Sequence, residues 1–239
     1  MESVLDRVIK QNTENVNLLK TKDYNIFSVL QIQSKEVLIC RMIADLLNPR
    51  GQHGAGAEYL KIFLRDCLGM EKMDTKLADQ AIVTAEYAID DERRIDIVIE
   101  IGSYFLPIEV KIYAADQKSQ CFDYYQYAKR RDAQAKVYYL TLDGHRPGKD
   151  STSSSNRSVT EEDIVCLSFR EHILNWLKAC KNCGNTGMIP ILEQFIQNIE
   201  LISGYTSEKV RNMVIDELLK SGDSLRAGMQ IPSMLRKQS

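Results

Sequence analysis

The feature that most constrains this chain is a pair of short apolar segments separated by Gly102-Ser103. Residues 94–100 alternate apolar and charged side chains, and residues 106–112 are again rich in apolar and β-branched residues. Such runs predict β-strands, and a Gly-first dipeptide between them predicts a two-residue type II′ turn. The sequence therefore predicts an antiparallel hairpin in which Ile101 pairs with Tyr104.

This turn determines which charged residues face one another. Counting back from it places Asp96 opposite Glu109, as a non-hydrogen-bonded pair with Cα atoms about 4.5 Å apart. Lys111 leaves the same face, because side chains alternate along a strand. Two opposed carboxylates repel each other, so we expect a divalent cation between them; Mg²⁺ prefers one or two carboxylates with water and phosphate oxygen. The alternative is a solvent-exposed face on which these charges form ordinary surface pairs.

Hydrophobic periodicity predicts further helices and strands on both sides of the hairpin. The predicted helices cover residues 1–20, 34–47, 57–68, 116–131, 170–181, 188–203 and 206–220. The other predicted strands cover residues 81–89, 137–142 and 164–169, and residues 143–158 have the composition of an exposed flexible loop. This order predicts an α/β sandwich with a mixed sheet.

The same pattern suggests how the chain is divided. We expect a domain over residues 1–169, made of the N-terminal helices and the sheet. Residues 170–239 are expected to form a helical C-terminal extension packed on that domain, with a frayed tail from about residue 222.

Composition narrows the class of protein. The 239 residues are 44% hydrophobic and 27% charged with a net charge of −2, an ordinary globular balance without a global pull toward nucleic acid. No stretch approaches the roughly 18 apolar residues that span a membrane, and the start lacks a signal-peptide layout, so we expect a cytoplasmic location without a membrane partner. Only Cys180 and Cys183 form a CxxC, which favours free thiols over a zinc site.

The hairpin and its flanks together resemble a known family. Asp96 followed by Glu109-Val110-Lys111 is similar to the D–(x)n–ExK signature of the PD-(D/E)XK nuclease superfamily. Over about residues 36–144 the chain resembles an uncharacterised prokaryotic and phage subfamily. The matching segments are Glu36, Leu46–Pro49, His53-Gly54, Arg94–Ile97, Glu109–Ala114, Asp116-Gln117, Gln120, Tyr124-Tyr125 and Tyr139–Gly144. One departure is Ile39-Cys40, where the group often has His-Ser.

The resemblance implies an αβββαβ restriction-endonuclease-like core and a metal-dependent nuclease. DNA is the expected substrate, and defence, restriction or repair the expected setting. Asp96 and Glu109 would be ligands of Mg²⁺, with Mn²⁺ as a substitute, and Lys111 the catalytic lysine. Glu36 resembles the helix glutamate that often completes such sites, and Glu86 another acidic position of the family. From the residues alone, Glu36 fits a helix N-terminal charge equally well, and the register of Glu86 is open.

Residues near the following helix are candidates for contact with substrate. Gln120 and Tyr124 lie one helical turn apart and face either the site or the sheet. We predict a catalytic role for Gln120, and nucleic-acid binding by Lys118, Tyr124, Arg130 and Arg131. The alternative for the basic residues is a solvated helix end.

A second function class stays open at this point. The same fold would serve a catalytically silent module that binds nucleic acid or assembles with protein. The near-neutral charge and the helical C-terminal third would suit such an assembly, including a homodimer.

Overall fold

The computed structural model describes residues 24–205, except 72 and 184. Its main element is a mixed five-stranded sheet. In their order across the sheet, the strands are β1 (Ile82–Ala88), β2 (Arg94–Ile101), β3 (Tyr104–Lys111), β4 (Val137–Thr141) and β7 (Ile164–Ser168). β1, β2 and β3 pair in antiparallel fashion, whereas β3, β4 and β7 are parallel.

Helices precede, separate and follow the strands along the chain. They are α1 (Ile26–Val29), α2 (Glu36–Leu47), α3 (Glu58–Asp66), α4 (Thr75–Ala78), α5 (Gln120–Arg131), α6 (Lys149–Thr152), α7 (Leu174–Cys180) and α8 (Ile189–Ile202). A helix, three strands, the crossover helix α5 and a further strand follow in the predicted order. The predicted restriction-endonuclease-like fold class is thereby confirmed.

The β2–β3 hairpin has the predicted register. Ile101 pairs with Tyr104 across Gly102-Ser103, and the pairing continues as far as Ile97 with Ile108. Gly102 has a φ of +56°, the conformation that a II′ turn requires at its first central position. β2 and β3 are buried along most of their length on both faces, so the alternative of a solvent-exposed charged face does not apply to this hairpin.

The loop after β4 is more ordered than its composition predicts. Within it lie α6 and a two-residue ribbon, β5 (Ser153–Ser154) with β6 (Arg157–Ser158). Asp116 anchors this segment, because its Oδ2 accepts a hydrogen bond from the Gly148 N–H at 2.7 Å. Long-range anchors of this kind leave no periodicity in the sequence, which is why the segment reads as flexible there.

Residues 170–203 of the predicted C-terminal extension belong to the same compact unit as the sheet, which spans residues 26–203. Trp176 on α7 is fully buried and donates its indole N–H to the Tyr59 carbonyl at 2.8 Å. A second unit, residues 1–25 and 204–239, falls almost wholly outside the described residues, as do the predicted helices 1–20 and 206–220. The boundary at residue 169 and the frayed tail stay predictions.

None of the helices in the described part of the chain is long and apolar enough to cross a membrane.

Candidate active site

The candidate site begins where β2 and β3 separate. Beyond the Ile97–Ile108 pair, the Val110 N–H donates to Asp96 Oδ2 at 2.7 Å. In a regular antiparallel ladder that donor would reach the backbone carbonyl of Ile95. The Asp96 side chain therefore takes the place of a ladder acceptor, and this holds its carboxylate at the open end of the hairpin.

Glu109 faces this carboxylate from β3 in a nearly dry environment. It is 1% exposed, and its Oε1 accepts a hydrogen bond from the Lys111 ammonium, which is itself buried. Among the residues that the structure describes, no hydrogen-bond donor reaches its Oε2, and the Asp96 carboxylate is close enough to form a hydrogen bond with Glu109 when the two acids share a proton. A buried carboxylate oxygen without a donor is costly, so a proton or a cation is needed at this position.

The electrostatics of the three groups follow from burial and proximity. Burial raises the pKa of Glu109 well above its ordinary value, and the neighbouring Asp96 carboxylate raises it further. Burial also raises the pKa of Asp96, although the bond from Val110 opposes this. Burial alone would lower the pKa of Lys111, but the Glu109 carboxylate outweighs it and the pKa is raised. Lys111 therefore stays positively charged beside the Glu109 carboxylate, and without a cation Glu109 binds a proton more readily than a carboxyl group in water does.

Glu36, the first residue of α2, reaches the same end of the sheet. Its Oε2 accepts a hydrogen bond from the Ile112 N–H at 2.8 Å, directly after Lys111. The Glu36 carboxylate is close enough to contribute to the pKa values of both Asp96 and Lys111. When all four groups are charged, three carboxylates and one ammonium leave two negative charges, which one divalent cation would balance.

The donor set fits a hard divalent cation. Mg²⁺ and Mn²⁺ favour carboxylate oxygens, and Mg²⁺ usually keeps several waters and takes only one or two protein carboxylates. Asp96 and Glu109 supply such a pair, and the Glu109 Oε2, which no donor among the described residues reaches, is the oxygen best placed for this use. No cluster of three or more protein ligands is arranged for a metal within the described part of the chain.

Glu86 lies on β1 across from Asp96 but takes a different partner. Its carboxylate forms an ion pair with Arg41 on α2 at 2.6 Å. Its φ of +53° interrupts the β1–β2 pairing between Ala85 and Tyr87. A metal-binding role for Glu86 stays a prediction that would require this ion pair to open.

Gln120 and Tyr124 meet each other on the face of α5 that packs against the sheet. Gln120 donates its amide to the Tyr124 hydroxyl at 3.1 Å, and that hydroxyl donates to the Arg94 carbonyl. Both side chains are buried. Burial raises the pKa of Tyr124, and Glu109 adds to this, so the pair borders the site. These hydrogen bonds hold both side chains between α5 and the sheet. The catalytic role of Gln120 and the nucleic-acid contact of Tyr124 stay predictions.

The predicted basic contacts lie at two different ends of α5. Lys118 is exposed just before the helix begins. Arg130 and Arg131 lie at the other end, about 16 Å along the helix axis. Arg131 is engaged by Glu100 at 2.7 Å, and Arg130 lies over the Tyr127 ring at 5.5 Å. Their role in nucleic-acid binding stays a prediction.

One residue at the site carries no role in the sequence reasoning. Cys40 follows Glu36 by one helical turn on α2 and is buried beside the cluster. Burial raises the pKa of its thiol, and Asp96, Glu36 and Glu109 raise it further. The i, i+4 spacing from Glu36 was the available signal.

Comparison with known proteins agrees with this geometry. A family model described as the PD-(D/E)XK nuclease superfamily matches residues 24–206. The chain belongs to the PD-(D/E)XK nuclease superfamily. This family of nucleases typically uses divalent metals and acts on nucleic acid. No curated protein and no solved structure matches the chain.

Proposed function

We propose that this chain is a divalent-metal-dependent nuclease that hydrolyses phosphodiester bonds in DNA, in a cytoplasmic setting such as defence, restriction or repair. The observation that carries the proposal is that no donor among the described residues reaches the buried Glu109 Oε2, while Asp96 lies beside Glu109 and Lys111 donates to its other oxygen. A purely structural ion pair would satisfy both oxygens of so deeply buried a carboxylate. Family membership supports nucleic acid as the substrate class; DNA in particular is part of the proposal.

Each residue then has a chemical task. Asp96 and Glu109 would hold Mg²⁺ or Mn²⁺, which supplies Lewis-acid stabilisation of charge on the phosphate. Lys111 keeps its proton, as the raised pKa requires, and presents an ammonium to the negative charge that develops during cleavage. Glu36 would complete the ligand set or orient Ile112 and the end of β3.

The direct test is a nuclease assay with plasmid, linear duplex, single-stranded DNA and RNA, with Mg²⁺, Mn²⁺ or EDTA. We expect metal-dependent cleavage of DNA by the wild type and a loss of at least about 100-fold in Lys111→Ala. Lys111→Met, which retains most of the side-chain volume, should lose as much activity while keeping the fold intact in circular dichroism.

Metal binding is measured separately by calorimetry. We expect the wild type to bind Mg²⁺ or Mn²⁺, and Asp96→Asn to bind more weakly. Absence of both divalent binding and cleavage would overturn the enzyme assignment. Binding of DNA without cleavage under any condition would instead favour the silent module, and cleavage of RNA alone would overturn the substrate.

A further inference from the structure

The turn that follows β4 is built around a carboxylate–imidazole pair. Asp143 Oδ1 lies 2.6 Å from His145 Nδ1 and also accepts the His145 backbone N–H at 3.2 Å. Thr141 accepts the Gly144 N–H at 2.9 Å. Gly144 has a φ of +85°, and a Cβ there would come within 3.3 Å of the Ser168 side chain. The pair is thus set by a specific turn rather than by a loose surface loop.

This turn lies one strand away from the candidate active site. In the parallel β3–β4 pair, Lys111 is in register with Thr141 and Glu109 with Tyr139. The His145 ring packs edge-on against the Tyr139 ring, with the ring centroids 6.3 Å apart. Because in-register neighbours point to the same face of a sheet, His145 lies on the face that carries Glu109.

The pair is exposed and has a free nitrogen. The side chains of His145 and Asp143 are 59% and 56% exposed. Hydrogen bonding to His145 lowers the pKa of Asp143, so this carboxylate is ionised and Nδ1 carries the proton. Within the described residues no hydrogen bond is formed to Nε2, which leaves it available to a ligand. Little packing depends on this side chain.

We propose that His145, oriented by Asp143, binds a phosphate of the nucleic acid next to the scissile phosphate. The inference deepens the proposed nuclease function and depends on it. His145 contacts Tyr139, the β4 residue in register with Glu109, so a nucleic-acid strand with one phosphate at Glu109 would bring a flanking phosphate to His145 on the same face of the sheet. When the ring carries both protons, Nε2–H donates a charge-assisted bond to a phosphate oxygen.

The test uses DNA oligonucleotides in which successive single phosphates are replaced by neutral methylphosphonates. We expect wild-type cleavage to lose about tenfold in kcat/KM at one phosphate flanking the cut. His145→Gln should lose about tenfold on unmodified DNA, chiefly through KM, and should no longer respond to modification of that phosphate. Arg146→Gln removes a charge from the next residue, whose partner is Glu161, and should keep the response.

Asp143→Asn examines the positioning role. It should raise KM and weaken the response at the same phosphate, with kcat and the melting temperature unchanged. If wild type and His145→Gln respond identically at every phosphate while both cut DNA, the phosphate subsite is overturned and the nuclease function stands. If the wild type cuts no DNA at all, both proposals are overturned together.

Discussion

The two ends of the β2–β3 hairpin each carry a β2 carboxylate, under opposite conditions. At the turn end, Glu100 pairs with Arg131 at 2.7 Å, and the guanidinium lies 5.1 Å from the centre of the Phe105 ring. At the open end, Asp96 accepts from a backbone N–H, and no donor within the described part of the chain reaches the Glu109 Oε2 beside it. The Glu100 carboxylate at the turn end is therefore paired with a cation, whereas the Glu109 oxygen at the open end lacks a donor among the described residues.

We expect this difference to separate a charge that only supports the fold from one that serves the proposed function. An exposed ion pair contributes little to stability and costs little to keep. A buried pair of carboxylates pays for desolvation and for mutual repulsion, and Lys111 offsets only part of that cost. Such a strained pair is expected to persist where a ligand, here a divalent cation, relieves it.

The largest expected effect is on catalysis at the open end. Glu109→Gln keeps the side-chain shape but removes the charge that would hold the metal, so cleavage should fall by at least about 100-fold. Glu100→Gln at the turn end is the matched control and should stay within about twofold of the wild type. Initial rates with Mg²⁺ on the best DNA substrate measure both. Equal losses in the two variants would remove the distinction between the two ends.

The next effect concerns stability against pH without metal. The pKa of Glu109 is raised above its ordinary value of 4.5, so above that pH the folded protein retains a proton that the unfolded chain has lost. Stability therefore falls as the pH rises from 4.5 toward the folded pKa, by about 1.4 kcal/mol per pH unit for this group. Urea denaturation in EDTA between pH 5 and 8 should show this slope in the wild type.

Glu109→Gln should lack that part of the slope. Asp96, whose pKa is also raised, contributes in the same direction in both proteins. Because the two carboxylates interact, the difference between the two slopes measures the coupled pair rather than Glu109 alone. A slope that is the same in both would mean that Glu109 is ionised in the folded protein without metal.

A smaller effect separates the two tasks of Asp96. Asp96→Asn removes a negative charge but keeps an oxygen that accepts from Val110, so the metal-free protein should be unchanged or slightly more stable. Asp96→Ala leaves that buried N–H unpaired and should cost about 1–3 kcal/mol in the free energy of unfolding. Urea denaturation in EDTA measures both. Equal destabilisation by the two variants would show that the charge itself supports the fold.

The smallest effect is expected at the turn end. Glu100→Gln breaks a pair in which the Glu100 and Arg131 side chains are 28% and 43% exposed, so unfolding should become easier by less than about 1 kcal/mol. The urea midpoint at low salt is the measurement, with the difference from wild type shrinking in high salt. A loss of several kcal/mol would mean that the Glu100–Arg131 ion pair contributes much more to the free energy of unfolding than a partly exposed pair should.

The hairpin could be derived from sequence because its geometry is local. A two-residue turn leaves one register, which the structure shows as far as Ile97 with Ile108. The ladder ends one step before the predicted pair of Asp96 with Glu109, and the two carboxylates meet through their side chains instead. The alternation of side chains then places Lys111 on their side. None of these steps requires knowledge of distant residues.

Other parts of the site could not be derived in this way. Glu36 meets Ile112 only because α2 packs across the sheet, and nothing near Glu36 in sequence separates this contact from a helix-end charge. Glu86 is diverted by Arg41 and by a positive φ that no residue pattern indicates. Tyr124, a candidate for substrate contact in the sequence, lies in the core because α5 presents that face to the sheet.

By itself, the sequence determined the order of the elements, the register of the hairpin and the presence of two opposed carboxylates with a lysine on one face. Only the tertiary structure decided that these groups are buried, that no donor among the described residues reaches one oxygen of Glu109, and that Asp96 also accepts from Val110. The physical reason is one of range. Register and alternation are set between neighbours along the chain, whereas burial and the pairing of charges depend on which distant surfaces pack together.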